Sequence, residues 1–358
     1  MKFLKNKMAE IQQKKPIGVI GAGSFGTAIA ELLAQKTEVI QFSRNPELVA
    51  SINEKHYNTG LKRELPTNII ATNSLEEVAK KCTLIFPIIP SDGFRSMMRN
   101  LSPFLHPYHI LIHGTKGFDI KDLTEADLET KKITRNDVST MSEIIREESV
   151  VVRVGCLSGP NLATEIMEGQ PTATVIASKF NEVIFAGKDA LNGSNFQVFG
   201  TKEILGAELA GALKNIIAIG SGALAGMGLG KNIQALLINR GLIEMIYYGK
   251  AMGAGPKAFV GTAGIGDLVC TATSENSRNF TFGARLGRGE SVEEIKKTMP
   301  ELAEGVRALN IAKHLADHYN LHVPIIQMLH RIVHKGFDAK KAIELLMKYP
   351  YYVDVDFM

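Results

Sequence analysis

Hydrophobic positions follow two different periods along the chain, and the change between them divides the chain in two. Up to about residue 200, short apolar runs of strand length alternate with segments whose apolar residues recur at helical spacing. Strands and helices in alternation predict an α/β fold with a mostly parallel, doubly wound sheet. The predicted strands are 16–20, 38–43, 68–72, 83–90, 109–117, 150–161, 172–178 and 196–200.

Two segments depart from this alternation. From about residue 202 onward the pattern is helical, with glycine-dense turns predicted around 253–266 and 283–289. The stretch 118–149 is charged and shows no clear strand, so it is predicted to be a helix plus a mobile surface loop. The predicted organisation is a flexible tail at 1–15, a Rossmann-like dinucleotide-binding domain at 16–200 and an all-α substrate domain at 201–358.

A glycine pattern joins the first predicted strand to the first predicted helix. In VIGAGSFGTA, Gly21, Gly23 and Gly26 form the pattern G-x-G-x-x-G, which is weak alone in a chain with 33 glycines and could be a plain turn. Its place in a strand–turn–helix–strand unit favours a dinucleotide site. In such a site Gly21 makes the tight turn, Gly23 admits the pyrophosphate and Gly26 lets the helix pack on the strand.

Composition excludes several classes of protein. Lys plus Arg (41) barely exceeds Asp plus Glu (37), which gives no sign of binding to nucleic acid or a membrane surface. The three cysteines lie far apart and the nine histidines lack ligand spacing, so we predict no disulfide framework and no metal site. We see no signal-peptide pattern and no uncharged run of membrane-span length, and we expect a cytoplasmic protein.

In an open α/β sheet, ligands bind beyond the carboxyl ends of the strands. The residues in such places are Ser24, Phe25, Arg44, Pro90, Ser91, Lys116 and the segment 158–161. An NAD-selective fold places an acid after the second strand for the ribose hydroxyls, whereas Arg44 suits a 2′-phosphate. The alternative is a solvated arginine at a strand end.

The predicted helix over 204–226 carries a stripe of small residues. They recur every three or four positions from Ala207 to Ala225, and Lys214 is the one charge in the stripe. A lysine on a helix is usually solvated, but one within a packing stripe needs another explanation. Partial burial and a second cation nearby, such as Lys116, would lower its pKa and suit it to proton transfer.

A second cluster of polar residues lies in the glycine-bounded segment 261–283. Its members are Asp267, Thr271, Ser277, Arg278 and Asn279. An arginine with adjacent Ser and Asn donors at a predicted helix start suits a phosphate group. An ordinary N-cap would be the better interpretation of an isolated SRN, but the glycine-dense setting favours the phosphate.

Seven segments, GAGSFGTA, GTKG, SGPN, ELAGALKNIIAIGSG, GTAGIGDLVCTAT, SRNFTFG and AEGVRA, occur in this order between about residues 16 and 348. Together they resemble NAD(P)-dependent glycerol-3-phosphate dehydrogenases of the bacterial type. The resemblance implies reversible reduction of dihydroxyacetone phosphate to sn-glycerol 3-phosphate for phospholipid synthesis. NADP is the expected cofactor, with NAD as the second possibility, and we expect a homodimer.

The resemblance also implies roles for individual residues. Lys214 looks like the proton donor and acceptor, Lys116 like the second active-site lysine, and Asp267 like the acid that orients the lysines. Substrate contacts are expected from these three and from Gly159, Asn161, Thr271, Ser277, Arg278 and Asn279. Cofactor contacts are expected from Gly21, Gly23, Ser24, Phe25, Gly26, Arg44, Lys116, Ala163, Arg278, Leu302 and Glu304.

This sequence departs from the family pattern in three places. Asn161 stands where relatives carry Ser or Thr, the stretch 118–149 is longer than usual, and the ending YPYYVDVDFM has no counterpart.

Two alternatives remain open. Another two-domain reductase of the 3-hydroxyacid or ketopantoate type would share the fold, and the SRN segment argues against it. A non-enzymatic dinucleotide-sensing protein would need no ionisable group in the small-residue stripe, so Lys214 argues against that interpretation.

Overall fold

The computed structural model describes residues 15–124, 126–299 and 303–348, and short strands run through the part before residue 202. In chain order they are β1 (Ile17–Ile20), β2 (Val39–Phe42), β3 (Tyr57–Asn58), β4 (Arg63–Glu64), β5 (Ile69–Thr72), β6 (Leu84–Pro87), β7 (Ile110–His113), β8 (Asp119–Ile120), β9 (Val138–Ser139), β10 (Arg153–Ser158), β11 (Thr172–Ala177) and β12 (Phe196–Thr201). Eight of them form one sheet in the order β12-β11-β10-β7-β6-β1-β2-β5. Its neighbouring strands are parallel except for β10 and β11.

Helices alternate with these strands and then continue without them. They are α1 (Ser24–Ala34), α2 (Pro46–Lys55), α3 (Leu75–Lys81), α4 (Phe94–Leu101), α5 (Asp127–Thr130), α6 (Met141–Glu148), α7 (Ala163–Met167), α8 (Asn181–Leu191), α9 (Ile204–Gly226), α10 (Lys231–Ala251), α11 (Asp267–Thr273), α12 (Arg278–Gly287), α13 (Val292–Thr298), α14 (Glu304–Tyr319), α15 (Pro324–Lys335) and α16 (Ala339–Met347). The predicted fold class, an α/β part followed by a helical part, is confirmed.

Local signals in the sequence account for several helix starts. Asn45 accepts hydrogen bonds from the next turn of backbone, and Pro46 occupies the first position of α2, where no N–H is needed. Ser74 and Glu77 have the spacing of a capping box, and Ser74 caps α3. The box is only half formed, because the Glu77 carboxylate binds the Thr72 hydroxyl and the Lys81 ammonium group instead of the Ser74 N–H.

Apolar side chains cover both faces of the sheet. Val19 and Ile20, adjacent in β1, lie in different buried clusters. The first cluster contains Val183 of α8, and the second contains Ile144 of α6. Because such strands are buried on both faces, their sequences are continuous apolar runs rather than alternating patterns.

Helix α9 is the centre of the helical part, where it packs against α10, α11, α12 and α14. It is long and apolar enough to cross a membrane by length and composition, yet 89% of its most apolar window is buried inside the protein. Burial in the core of the fold therefore accounts for its composition.

The second predicted glycine-dense turn is wrong for most of its length. Gly283 and Gly287 lie inside α12, and Gly289, with φ of 97°, begins the turn. A Cβ atom on Gly283 would overlap the backbone oxygen of Ile219 in α9, and one on Gly222 of α9 would overlap the backbone of α12. Glycine is needed here because the backbones of two helices touch. In the sequence, glycines that serve such a contact look the same as glycines that form a turn.

The stretch 118–149 is not the surface loop that its charges predict. The expected helix is present as α6, but the paired strands β8 and β9 precede it. Asp119 accepts a hydrogen bond at 2.7 Å from the buried guanidinium of Arg95. Because its apolar residues stand singly among charges, no local period reveals that they join the core of the helical part: Phe118, Ile120, Leu128, Ile133 and Val138.

Candidate active site

The carboxyl ends of five neighbouring strands lie side by side at one edge of the sheet. The order β10-β7-β6-β1-β2 is continuous and parallel. The segments that follow these strands are therefore neighbours too. They contain, in the same order, Asn161, Lys116, Ser91, Ser24 and Arg44.

The glycine loop after β1 is closed at its ends and open in its middle. Gly21 has φ of 125°, and a Cβ atom there would overlap the backbone of Ile88. A Cβ atom on Gly26 would overlap the backbone oxygen of Gly21. Nothing lies within 4 Å of the Cβ position of Gly23, which is the N-cap of α1. The N–H groups of the first turn of α1 thus lie next to an opening that a phosphate group could enter.

Two buried amides that the sequence analysis missed hold this loop. Gln41 Nε2 donates a hydrogen bond to the oxygen of Gly21 at 3.0 Å, and Asn58 Nδ2 donates to that of Ala22 at 3.2 Å. Both amides also reach the Thr27 hydroxyl on α1, at 3.4 and 3.2 Å. A polar residue in the middle of the apolar strand β2 is the one sequence signal for Gln41.

Of the other predicted cofactor residues, Leu302 is outside the described residues, and Ser24, Phe25, Arg44 and Ala163 belong to segments that follow the sheet strands. Ser24 is exposed, and the Phe25 ring lies against Gly114. Arg44 is exposed at the end of β2. Ala163 begins α7, which packs on α1.

Two lysines converge on one buried carboxylate. Lys214 of α9 donates to Asp267 Oδ1, and Lys116 donates to Asp267 Oδ2 at 2.6 Å. Lys214 also donates to the Thr271 hydroxyl at 2.5 Å, and Lys116 to the backbone oxygen of Gly159 at 3.1 Å. Because Asp267 is 1% exposed and Lys214 5%, water has little access to these ion pairs.

Glycines bring these charges together. A Cβ atom on Gly211, one turn before Lys214, would be 3.4 Å from Lys116 Cγ, so the small side of α9 lets the Lys116 stem lie across it. Asp267 begins α11 directly after a π-helical turn at Thr262–Gly266. This irregular turn places the carboxylate at a helix start that faces α9.

Burial lowers the pKa of Lys214 to about 8. Asp267 opposes this shift, and the positive charge of Lys116 adds to it. Two ammonium groups share a single carboxylate, which leaves one positive charge without a counterion within the cluster. An amine with this pKa can both give and take a proton near neutral pH.

Ser277, Arg278 and Asn279 lie at the start of α12 but have different contacts. Ser277 Oγ caps the helix by accepting the N–H three residues later at 3.3 Å. Asn279 Oδ1 accepts the N–H of Gly305 at 2.9 Å. Arg278 is exposed, and its charge counteracts the effect of burial on the pKa of Glu304. Ser277 and Asn279 thus bind backbone N–H groups, and the Arg278 guanidinium lies at the surface.

Asn161 and Glu304 place polar groups beside the strand ends. Asn161 Nδ2 donates to the Thr174 hydroxyl at 2.9 Å, and its buried Oδ1 has no hydrogen-bond partner in the described part of the chain. Glu304 accepts the N–H of Ser91 at 3.4 Å, and burial raises its pKa. The Asn161 amide oxygen, two residues after Gly159, is thus a buried acceptor that receives no hydrogen bond from the described part of the chain.

Family models match both parts of the chain. Residues 16–184 match the model described as NAD-dependent glycerol-3-phosphate dehydrogenase N-terminus, and residues 203–344 match the corresponding C-terminus. Glycerol-3-phosphate dehydrogenase (NAD(P)+) from Pseudomonas aeruginosa is 37% identical over 349 residues, which cover 97% of this chain and 98% of that protein. The protein of the same name from Azotobacter vinelandii is 38% identical over 354 residues, covering 96% and 98%.

A solved structure shows the same similarity. The crystal structure of glycerol-3-phosphate dehydrogenase from Coxiella burnetii aligns with a TM-score of 0.84 at 30% identity. The alignment covers 94% of this chain and 99% of that one.

Proposed function

This chain belongs to the NAD-dependent glycerol-3-phosphate dehydrogenase family, and we propose that it reduces dihydroxyacetone phosphate reversibly to sn-glycerol 3-phosphate with NADPH or NADH. The observation that carries this proposal is the pair of lysines on Asp267, at the edge of the sheet where the glycine loop opens. Reduction of a ketone needs a proton for the developing alkoxide and positive charge to polarise the carbonyl group. Two ammonium groups supply both.

The surroundings of the glycine loop fit a dinucleotide cofactor, which supplies the hydride when it is bound. The space at Gly23 and the N–H groups of α1 would hold the pyrophosphate. Ser24, Phe25 and Ala163 would contact the cofactor beside it. Arg44 would pair with a 2′-phosphate, so NADPH is the preferred cofactor.

The two lysines have separate roles. Lys214 gives its proton to the alkoxide oxygen at C2 of the substrate, and Lys116 polarises the same oxygen. Asp267 orients both ammonium groups through its two oxygens. Because burial and Lys116 hold the pKa of Lys214 at about 8, Lys214 also takes the proton back in the reverse reaction.

The phosphate of the substrate binds away from the reacting carbon. Arg278, exposed at the start of α12, offers a guanidinium fork, and Asn279 lies beside it. Gly159, Asn161 and Thr271 complete the substrate side. Binding of the phosphate thereby helps to fix the carbonyl group for attack.

Purified protein tests this proposal. Oxidation of NADPH should depend on dihydroxyacetone phosphate, and ketopantoate or a 3-oxoacid should not replace it. Turnover with ketopantoate alone would favour a related two-domain reductase, and NADPH binding without any turnover would favour a dinucleotide sensor. Light scattering on the same sample tests the proposed homodimer. Complementation of a strain that requires glycerol 3-phosphate tests whether the enzyme supplies phospholipid synthesis in the cytoplasm.

A further inference from the structure

Helix α9 carries a second buried charge, less than two turns before Lys214. Glu208 is 8% exposed and accepts hydrogen bonds from the N–H and the hydroxyl of Ser142, at 2.7 and 2.6 Å, and from the Thr140 hydroxyl at 3.0 Å. His113 Nε2 lies 3.0 Å from Glu208 Oε1. None of these groups has a part in the reaction proposed above.

Both ring nitrogens of His113 face oxygen atoms that can only accept. Nδ1 lies 3.2 Å from the backbone oxygen of Thr115. Nε2 faces Glu208 Oε1 at 3.0 Å without the alignment of a hydrogen bond. Because His113 is 1% exposed, this imidazole–carboxylate contact is closed to water.

This pair connects the two segments that carry the lysines. His113 is the last residue of β7, and Lys116 follows three residues later. Glu208 belongs to the same helix as Lys214. Between His113 and Lys116, the Thr115 hydroxyl donates at 2.7 Å to a backbone oxygen that follows β6. The backbone leading to Lys116 is therefore held against α9 on one side and the end of β6 on the other.

We propose that His113 and Glu208 are positioning residues of the reaction, whose buried contact holds Lys116 on Asp267 at the place that catalysis with Lys214 requires. Thr140 and Ser142 hold the Glu208 carboxylate at the start of α6, where a negative charge is favourable. The stretch 118–149 thereby takes part in placing Lys116. The inference rests on the proposed roles of Lys116 and Lys214.

Glu208→Gln keeps the size of the side chain and removes its charge. We expect kcat to fall about 10- to 100-fold through misplacement of Lys116, with an unchanged dissociation constant for NADPH. The charged groups that bear on Lys214 are Asp267 and Lys116, and the charge of Lys116 lowers the pKa of Lys214. A displaced Lys116 should therefore move the pH midpoint of kcat upward, which a loss of stability alone would not do.

Glu244→Gln is the matched control. Glu244 is also a buried glutamate within a helix, with a pKa that burial raises to about 8, and it accepts two backbone N–H groups at the start of α15, at 2.7 and 3.0 Å. This variant should be less stable but should keep the wild-type kcat and pH midpoint. If Glu208→Gln does not fold, His113→Gln serves instead, since it keeps an N–H donor and removes the ring that faces Glu208.

A double-mutant cycle decides whether the pair acts through Lys116. Glu208→Gln should cause no further loss of kcat in a Lys116→Met background. Additive losses, or an unmoved pH midpoint in Glu208→Gln, would overturn the inference. A Lys116→Met enzyme with normal kcat would overturn the proposed function of Lys116 itself and the inference with it, which distinguishes the two failures.

Discussion

The two sides of the candidate active site depend on different parts of the polypeptide. On the glycine side, Gly21, Gly23 and Gly26 leave backbone N–H groups and open space for a ligand. On the lysine side, Lys116 and Lys214 share one carboxylate among buried helices. The absence of side chains is the main feature of the first side, whereas exclusion of water and a pKa of Lys214 lowered by burial are the main features of the second. Changes on the lysine side should thus alter turnover, and changes on the glycine side should alter cofactor binding.

The largest effect is expected for Lys214→Met, which keeps much of the length and removes the charge. Proton transfer by a positioned group contributes about 10²- to 10⁴-fold, so kcat should fall by about that factor. The dissociation constant of NADPH, measured by titration, should stay the same because the glycine loop is untouched. A variant with near-normal turnover would contradict the role, and a misfolded variant would make the lysine structural.

Arg278→Leu tests the phosphate end of the lysine side. Loss of a charge-assisted contact should lower kcat/KM for dihydroxyacetone phosphate about 10- to 100-fold, mainly through KM. Arg288→Leu, at the opposite end of α12 and also exposed, is the control and should behave as wild type. Unchanged steady-state constants in Arg278→Leu would place the phosphate site elsewhere.

The pH profile separates the directions of the reaction. Reduction needs Lys214 protonated, so its kcat should fall about tenfold per pH unit above the pKa of about 8 that burial gives this lysine. Oxidation of glycerol 3-phosphate needs the free amine, so its kcat should rise through the same midpoint. A midpoint near 10.5, the ordinary value for a lysine, would show that Lys214 is solvated during turnover.

On the glycine side, Arg44→Asp should alter the choice of cofactor. The substitution removes attraction to a 2′-phosphate and adds repulsion, so the ratio of kcat/KM for NADPH to that for NADH should fall about tenfold. Steady-state kinetics with both cofactors measure this ratio. An unchanged ratio would mean that Arg44 only faces solvent.

The smallest effects distinguish two uses of glycine. Gly283→Ala forces a Cβ atom into the backbone of α9 and should lower the free energy of unfolding by about 1–3 kcal/mol. Gly23→Ala places its methyl group in open space, so stability should change by no more than about 0.5 kcal/mol while NADPH binds more weakly. Thermal denaturation and NADPH titration of both variants test this contrast, and an unchanged affinity in Gly23→Ala would contradict it.

Local patterns were sufficient for most elements of the fold. The strand predicted at 68–72 is observed at Ile69–Thr72, and the one at 172–178 at Thr172–Ala177. The predicted helix over 204–226 is α9 without change. Such predictions succeed because periodicity and helix caps depend on residues only a few positions apart.

The sequence therefore sufficed for the order of strands and helices and for the glycine loop, and family resemblance supplied the proposal that Lys116 and Lys214 act in catalysis. Folding in three dimensions determined which distant groups meet: both lysines on Asp267, Glu208 beside His113, and the stretch 118–149 in the core of the helical part. The same holds for Gly283, whose turn-like signal comes from contact between two helices. The physical reason is that ion-pair energies, desolvation and backbone contact depend on separations through space, and no local period along the chain contains those separations.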